Sequence, residues 1–169
     1  LDPAVVQRDY LDNMNLLEAD YPGVMFVYMT GHLDGTGVDG RLNQNNELIR
    51  SFCRGGGKTL FDFADIESYD PDGNYYLDLG ANDNCDYRDP VSGQTRNWAI
   101  EWCAANPDEC LACGWCAHSQ CLNCYQKGKA AWWLWARLAG WSGGSSTSVI
   151  GDFDGDLKID IADLSFLAN

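Results

Sequence analysis

The sequence predicts an α/β fold with a parallel sheet, because two apolar segments flank one amphipathic segment. The first apolar segment, residues 24–30, is rich in β-branched and aromatic side chains, as is typical of a strand buried on both faces. Apolar positions then recur at helical spacing over residues 42–52, and we expect this helix to end at the glycines 55–57. Residues 59–66 read as a second strand. This order predicts a β-α-β unit.

Three further helices are predicted. The first begins at Asp2 and Pro3 and ends at the turn Tyr21-Pro22-Gly23. The second spans residues 98–105, before Pro107. The third, over residues 127–139, is apolar on nearly every side, so we expect it to be buried all round. Its tryptophans 132, 133 and 135 are therefore interpreted as core residues, with a sugar-binding platform as the alternative.

Two strands are few for a parallel sheet. Such sheets occur almost only with several strands and with both faces covered. We therefore expect either weaker strands within the loops or a sheet completed by polypeptide outside this chain.

The segment from residue 151 to residue 169, GDFDGDLKIDIADLSFLAN, has the spacing of a calcium loop. Ca²⁺ is bound by six to eight oxygens at about 2.3–2.6 Å. Five side chains and one backbone carbonyl can supply them, at loop positions one, three, five, seven, nine and twelve: Asp152, Asp154, Asp156, Lys158 (carbonyl), Asp160 and Asp163. Apolar residues then recur at helical spacing at Ile161, Leu164 and Leu167. We therefore predict Ca²⁺ as the cofactor, bound with moderate affinity because Leu157 replaces the usual glycine at position six.

The domain organisation follows from composition. An α/β domain is expected over residues 1–141, a Gly/Ser linker over residues 142–148, and the calcium-binding repeat over residues 149–169. A second calcium site is conceivable in the acidic, turn-rich region, with Asp70, Asp72, Asn74 and Asp78 as ligands.

The charge balance excludes some partners. The 169 residues contain 25 Asp and Glu and 11 Lys and Arg, for a formal charge of −14. So few cations argue against nucleic-acid binding. No apolar run approaches the eighteen or so residues of a membrane span, and residues 1–7 lack the pattern of a signal peptide.

Eight cysteines are present, and five of them fall within fifteen residues with the spacing C-x2-C-x2-C-x4-C-x2-C. That spacing permits a zinc or iron–sulfur site. We favour disulfides and a secreted, extracellular protein, because a calcium loop of this type suits the millimolar calcium outside cells. The sequence leaves the pairing open for Cys53, Cys85, Cys103, Cys110, Cys113, Cys116, Cys121 and Cys124.

Polar side chains follow both predicted strands. His32 lies just past the first strand, and Asp62 and Asp65 lie on or after the second, where open α/β sheets bind ligands. An acid–base pair is one interpretation of the two aspartates, and hydrogen bonds to loop or helix N–H groups are the other.

Four blocks of the sequence together resemble the C-terminal half of secreted SGNH (GDSL-type) hydrolases: YPGVMFVYMTGHLDG, IRSFC, TLFDFADIESYDPDG and CAHSQCLNCYQKGKAAWWLWARLAGW. The resemblance implies a three-layer α/β sandwich and ester hydrolysis by a serine nucleophile with a histidine base. It places His118 at the position of that histidine. The segment 149–169 resembles one repeat of a type I dockerin, in which a calcium loop precedes a helix.

Two functions are compatible with these features. The first is a non-catalytic structural or interaction role, in which the calcium-ordered C-terminal segment attaches to a protein partner or to further copies of the chain, giving rings or filaments. The second is a fragment of a secreted SGNH-type carbohydrate esterase. We favour the first, because the Gly-Asp-Ser block that carries the nucleophile is not in this sequence.

Overall fold

The computed structural model describes residues 1–110, 113 and 115–142. Its first element is helical from Pro3 to Asp20: α1 (Pro3–Val6), a π-helical turn (Gln7–Leu11) and α2 (Asp12–Asp20). The Asp2 carboxylate caps the start by accepting a 2.9 Å hydrogen bond from the N–H of Ala4. The predicted first helix is thus confirmed.

The β-α-β unit is also confirmed, with shorter strands than predicted. Strand β1 (Val27–Met29) pairs in parallel with β2 (Thr59–Phe61), and α3 (Arg41–Gly56) connects them. Tyr28 lies opposite Leu60 in the register. The prediction of a mixed α/β class holds at this level.

Both strand predictions were too long, each for a local reason. Val24 donates its N–H to the carbonyl of Tyr21, so the turn after α2 takes residues that were predicted as strand. At the other strand, the Asp62 carboxylate accepts the N–H of Asp65 at 3.3 Å and begins α4 (Phe63–Ser68).

The parallel sheet is covered unequally. Tyr28 is fully buried against α3 and the first helix, in a cluster completed by Val6, Leu11, Ile49 and Cys53. Met29, whose side chain points to the opposite face, is 43% exposed. The expectation that β1 is buried on both faces is therefore wrong for the described residues.

The second half of the domain contains a 3₁₀ turn (Leu77–Leu79) and an antiparallel pair, β3 (Asp86–Arg88) and β4 (Thr95–Asn97). Helix α5 (Trp98–Ala105) follows as predicted. Helix α6 (Cys121–Leu138) begins six residues before its predicted start. Its buried face joins a core of aromatic and apolar residues: Cys85, Tyr87, Trp98, Ala99, Trp102 and Leu122.

Helix α6 is not buried all round. Trp133 is 7% exposed, whereas Trp132 is 72% and Trp135 is 60% exposed. The core interpretation is therefore right for one of the three tryptophans. No helix in the described part of the chain is long and apolar enough to cross a membrane.

Candidate functional site

The carboxyl ends of β1 and β2 meet in a hydrogen-bonded cluster around Asp62. Thr30, just after β1, donates its hydroxyl to Asp62 Oδ1 at 2.9 Å. Arg50 of α3 donates to the same carboxylate through Nε at 2.6 Å and Nη2 at 2.8 Å. Both ionic side chains are nearly buried, with 12% and 13% of their surfaces exposed. The structure thus favours the hydrogen-bonding interpretation of Asp62 over the acid–base one, because its lone pairs already hold the sheet edge to α3.

A buried ion pair lies beside this cluster. Lys127 Nζ of α6 is 2.6 Å from Glu67 Oε1 at the end of α4, and the second Glu67 oxygen accepts the N–H of Leu33 at 2.6 Å. Glu67 is 1% exposed. Burial raises the pKa of the Glu67 carboxyl, and the Lys127 charge and the two hydrogen bonds offset only part of that rise. The pair therefore fixes α6 against the carboxyl edge of the sheet.

Ser119 extends the same network without the geometry of a nucleophile. Its Oγ lies 3.5 Å from Lys127 Nζ and donates to Asn123 Oδ1 at 3.1 Å. Asn123 in turn donates to the carbonyl of Ile66 at 3.0 Å. The Ser119 proton therefore points to an amide oxygen, and the neighbouring ammonium is held by Glu67, so neither group can take that proton. Sequence reasoning missed this cluster because its members lie about sixty positions apart along the chain.

His32 lies just past β1, as predicted, and its described contacts are made by one ring nitrogen, Nδ1. Nδ1 is 3.0 Å from the carbonyl of Leu33 and 3.7 Å from Asp83 Oδ2, and 61% of the side chain is exposed. When Nδ1 carries its proton toward that carbonyl, Nε2 has a free lone pair. His32 is therefore positioned to accept a proton or bind a ligand from solvent.

His118 occupies a different environment. It is exposed, in a turn before α6, and has a positive φ of 54°. Among the described residues, none forms a hydrogen bond or ion pair with its ring. A catalytic histidine is normally oriented by a second group. The described contacts provide such a group for His32 and not for His118.

The predicted ligands of the main calcium loop, Asp152, Asp154, Asp156, Lys158, Asp160 and Asp163, lie outside the described residues. Among the residues that are described, no group of three His, Cys, Asp or Glu side chains is arranged to hold a metal ion.

The loop suggested as a second calcium site is organised by hydrogen bonds. Asp70 is 3% exposed and accepts four of them: from the N–H groups of Asp72 and Asn74, from Asn74 Nδ2 and from the Tyr76 hydroxyl. Asp72 Oδ2 accepts the indole N–H of Trp102 at 3.0 Å. The fourth suggested ligand, Asp78, lies in the 3₁₀ turn. Protein donors thus occupy both oxygens of Asp70, and these hydrogen bonds close the turn. The second calcium site stays a prediction.

Six of the eight cysteines form disulfides: Cys103–Cys110, Cys113–Cys121 and Cys116–Cys124. The last two join the segment before α6 to the first turn of that helix, with Cα–Cα distances of 5.4 Å and 6.6 Å. Cys53 and Cys85 differ from the expectation for all eight, since both are buried free thiols. Burial raises the pKa of Cys53 to about 11 and that of Cys85 to about 12, so neither carries a reactive thiolate.

The outer side of α6 carries an exposed aromatic stripe, formed by Tyr125, Gly128, Trp132 and Trp135. At 100° per residue these positions lie on one face of the helix, and the buried residues Asn123 and Gln126 lie on the other. The rings of Trp132 and Trp135 are 5.9 Å apart and nearly perpendicular, at 71°. A Cβ placed on Gly128 would have no atom within 4 Å, so the stripe has an open notch between Tyr125 and Trp132. Exposed aromatic surface of this kind is typical of interaction sites.

Comparisons with protein-family models, with curated proteins and with solved structures find no match to this chain.

Proposed function

We propose that this chain is an extracellular calcium-binding interaction protein that is not catalytic as it stands. It attaches to a protein partner, or to further copies of itself, through the C-terminal segment that calcium orders. The observation that carries the proposal is the aromatic stripe of α6, where Trp132 and Trp135 are 72% and 60% exposed. Tryptophan is depleted on ordinary surfaces and enriched where proteins bind one another.

The aspartate spacing of the C-terminal segment supports the calcium part of the proposal. Without an ion, Asp152, Asp154 and Asp156 repel one another, and the loop is expected to unfold. With calcium bound, folding of the loop is coupled to binding, and the dockerin-like segment from Ile161 onward becomes helical. Three disulfides within Cys103–Cys124 fit an oxidising, extracellular compartment.

The uneven coverage of the parallel sheet supports a role in association. Met29 of β1 and Met25, which precedes that strand, are 43% and 59% exposed, although parallel sheets are normally covered on both faces. In the three-layer sandwich that the SGNH resemblance implies, further strands and a further helical layer would cover these side chains. Such a layer would have to come from polypeptide outside the described residues.

A carbohydrate ester hydrolase of the SGNH type is the second candidate, and the oriented ring of His32 favours it. A histidine whose Nδ1 is fixed by a carbonyl and a nearby carboxylate is suited to act as a base. The described network leaves Ser119 without such a base, so this candidate needs a nucleophile that the described residues do not place beside His32. The interaction role needs no such addition.

Native mass spectrometry and light scattering, in millimolar calcium and in chelator, test the proposal. We expect one bound calcium per chain and a change of association state that the chelator reverses. Asp154→Asn with Asp156→Asn should abolish both effects. Asp20→Asn with Asp108→Asn, an equal change of charge at exposed positions, should abolish neither. A chain that binds no calcium, or whose association state is the same in both buffers, would exclude the proposed role.

A further inference from the structure

We propose that the aromatic stripe of α6 is the docking surface for this chain's own C-terminal segment, residues 159–169, in its calcium-bound state. The inference rests on the proposed function and identifies the surface against which the segment packs; the docked segment and α6 together then form the surface to which a partner or a second copy attaches. The inference starts from a contrast on α6: Trp132 and Trp135 are exposed, whereas Asn123, Gln126 and Trp133 of the same helix are buried.

The shape of the stripe suits an apolar helix. Tyr125 and Trp132 stand on either side of Gly128, which has no side chain and no neighbouring atoms above it. A large side chain of a second helix can enter such a notch while its neighbours contact the flanking rings. Residues Ile161, Leu164 and Leu167 recur at the spacing that places three apolar side chains on one face of a helix. A single short helix cannot bury that face by itself.

The chain connecting the two surfaces is long enough. The stripe lies on the last helix of the domain, and Trp135 is one turn, about 5 Å, before its end at Leu138. The Gly/Ser linker, residues 142–148, spans roughly 15 Å as a random coil. The calcium loop therefore begins within reach of the Trp135 end of the stripe.

The short connection also favours the chain's own segment over that of a second copy. A flexible linker of this length gives a local concentration in the millimolar range, far above ordinary protein concentrations. A neighbouring copy can compete only when that concentration is approached, and the exchange would then join chains head to tail.

The charges of the two surfaces are complementary. Helix α6 carries no acidic residue, although the chain as a whole has a charge of −14. Its Lys127 is already paired with Glu67, so Lys129 is the cation available at the stripe. The segment 149–169 carries five aspartates and one lysine. Lys129 lies at the stripe itself, with its Nζ 5.1 Å from the centre of the Tyr125 ring. Attraction between the two surfaces should therefore add to the apolar contact.

Hydroxyl-radical footprinting read by tandem mass spectrometry tests this docking, because it reports each tryptophan separately. We expect calcium to reduce the oxidation rates of Trp132 and Trp135 several-fold and to leave that of Trp115 unchanged. Trp115 is 84% exposed and lies outside the stripe, so it serves as an internal control. In Ile161→Ser with Leu164→Ser, which keeps every calcium ligand, the ion should still bind but the protection should be lost.

Calcium binding is measured on the same samples by native mass spectrometry, which separates the two proposals. If no calcium binds, the proposed function fails. If calcium binds but Trp132 and Trp135 remain as reactive as in chelator, the docking inference fails while the proposed function stands. Protection that appears only as dimers form at rising protein concentration would also overturn it, because the occupant would then be a second copy.

Discussion

Lys127 and Glu67 form an ion pair with a 2.6 Å separation between Nζ and Oε1, and it joins α6 to the carboxyl edge of the parallel sheet. Glu67 is 1% and the Lys127 side chain 13% exposed, so water screens the pair little. The ammonium also lies 4.3 Å from the centre of the Phe63 ring, a favourable cation–π contact. The position of the helix that carries the aromatic stripe thus depends on a charge interaction.

Breaking this pair from one side should destabilise the domain strongly. Lys127→Met leaves Glu67 buried without a counter-charge, and we expect it to cost about 3–5 kcal/mol of unfolding free energy. Glu67→Gln should cost less, because burial already disfavours the charged form of Glu67. The double variant should cost less than the sum of the two, because no unpaired charge then remains. Urea denaturation of the four proteins measures the coupling. Asp9→Asn, which breaks the exposed Arg8–Asp9 pair, serves as the control and should leave the midpoint unchanged. Strictly additive losses at Glu67 and Lys127 would contradict the buried pair.

The stability should also depend on pH through Glu67. Its pKa is raised above the usual 4.5, mainly by burial, so the folded protein retains this proton where the unfolded chain has lost it. The contribution of Glu67 is therefore fully present below pH 4.5 and is lost as pH rises through the folded-state pKa. Relative to Glu67→Gln with Lys127→Met, the wild type should lose stability as pH rises from 4 toward 7. Parallel urea midpoints across that range measure this, and identical slopes would contradict it.

Local signals in the sequence predicted the helices well and the packing poorly. Helix α5 was predicted with its observed bounds, because an apolar pattern before Pro107 is a signal within ten residues. The Glu67–Lys127 contact joins positions sixty residues apart, and nothing in the sequence near either residue indicates which opposite charge it pairs with. The prediction that Trp132 and Trp135 are core residues was wrong for a different reason. Apolar side chains are buried on average, but those on interaction surfaces are exposed.

The number of cysteines that can be alkylated should distinguish disulfides from a metal site, because the structure has two free thiols, Cys53 and Cys85. Cys53 and Cys85 are buried, with pKa values near 11 and 12, so the native protein should not react with iodoacetamide. Unfolding without reductant should expose two reactive thiols, and unfolding with reductant should expose eight. Intact mass after alkylation gives these counts. Six or more modified cysteines in denaturant and chelator, without reductant, would instead indicate thiolates bound to a metal.

Asp70 should prove necessary for the turn between α4 and the 3₁₀ turn. Asp70→Asn keeps the shape of the side chain but turns one acceptor into an NH₂ group that faces the donors Asn74 Nδ2 and Tyr76 hydroxyl. We expect a loss of about 2–3 kcal/mol, since a buried charge-assisted acceptor is removed and its donors are left unpaired. Asp78→Asn, an exposed change of the same kind in the same loop, should cost little. Thermal unfolding compares the two, and equal effects would contradict this role.

Asp89 organises the loop between β3 and β4 by accepting hydrogen bonds from four donors, and these donors should lower its pKa. One carboxylate oxygen accepts the N–H groups of Val91 and Ser92, and the other accepts the Ser92 hydroxyl at 2.9 Å and Arg96 at 3.3 Å. These donors, with the Val91 N–H first, lower the pKa of Asp89 to about 2. Because the folded-state value lies below the usual 3.8, the stabilising contribution of this group is present at neutral pH. It is lost as pH falls through 3.8 toward 2.

An NMR titration of the carboxyl carbons should place the Asp89 midpoint near 2, below those of ordinary aspartates. In Ser92→Ala the hydroxyl donor is lost while both backbone donors remain, so the midpoint should move part of the way toward 3.8. Ser51→Ala, on α3 and remote from this loop, should leave it in place. A wild-type midpoint near 3.8, or one that Ser92→Ala does not move, would mean that these hydrogen bonds do not hold the loop in solution.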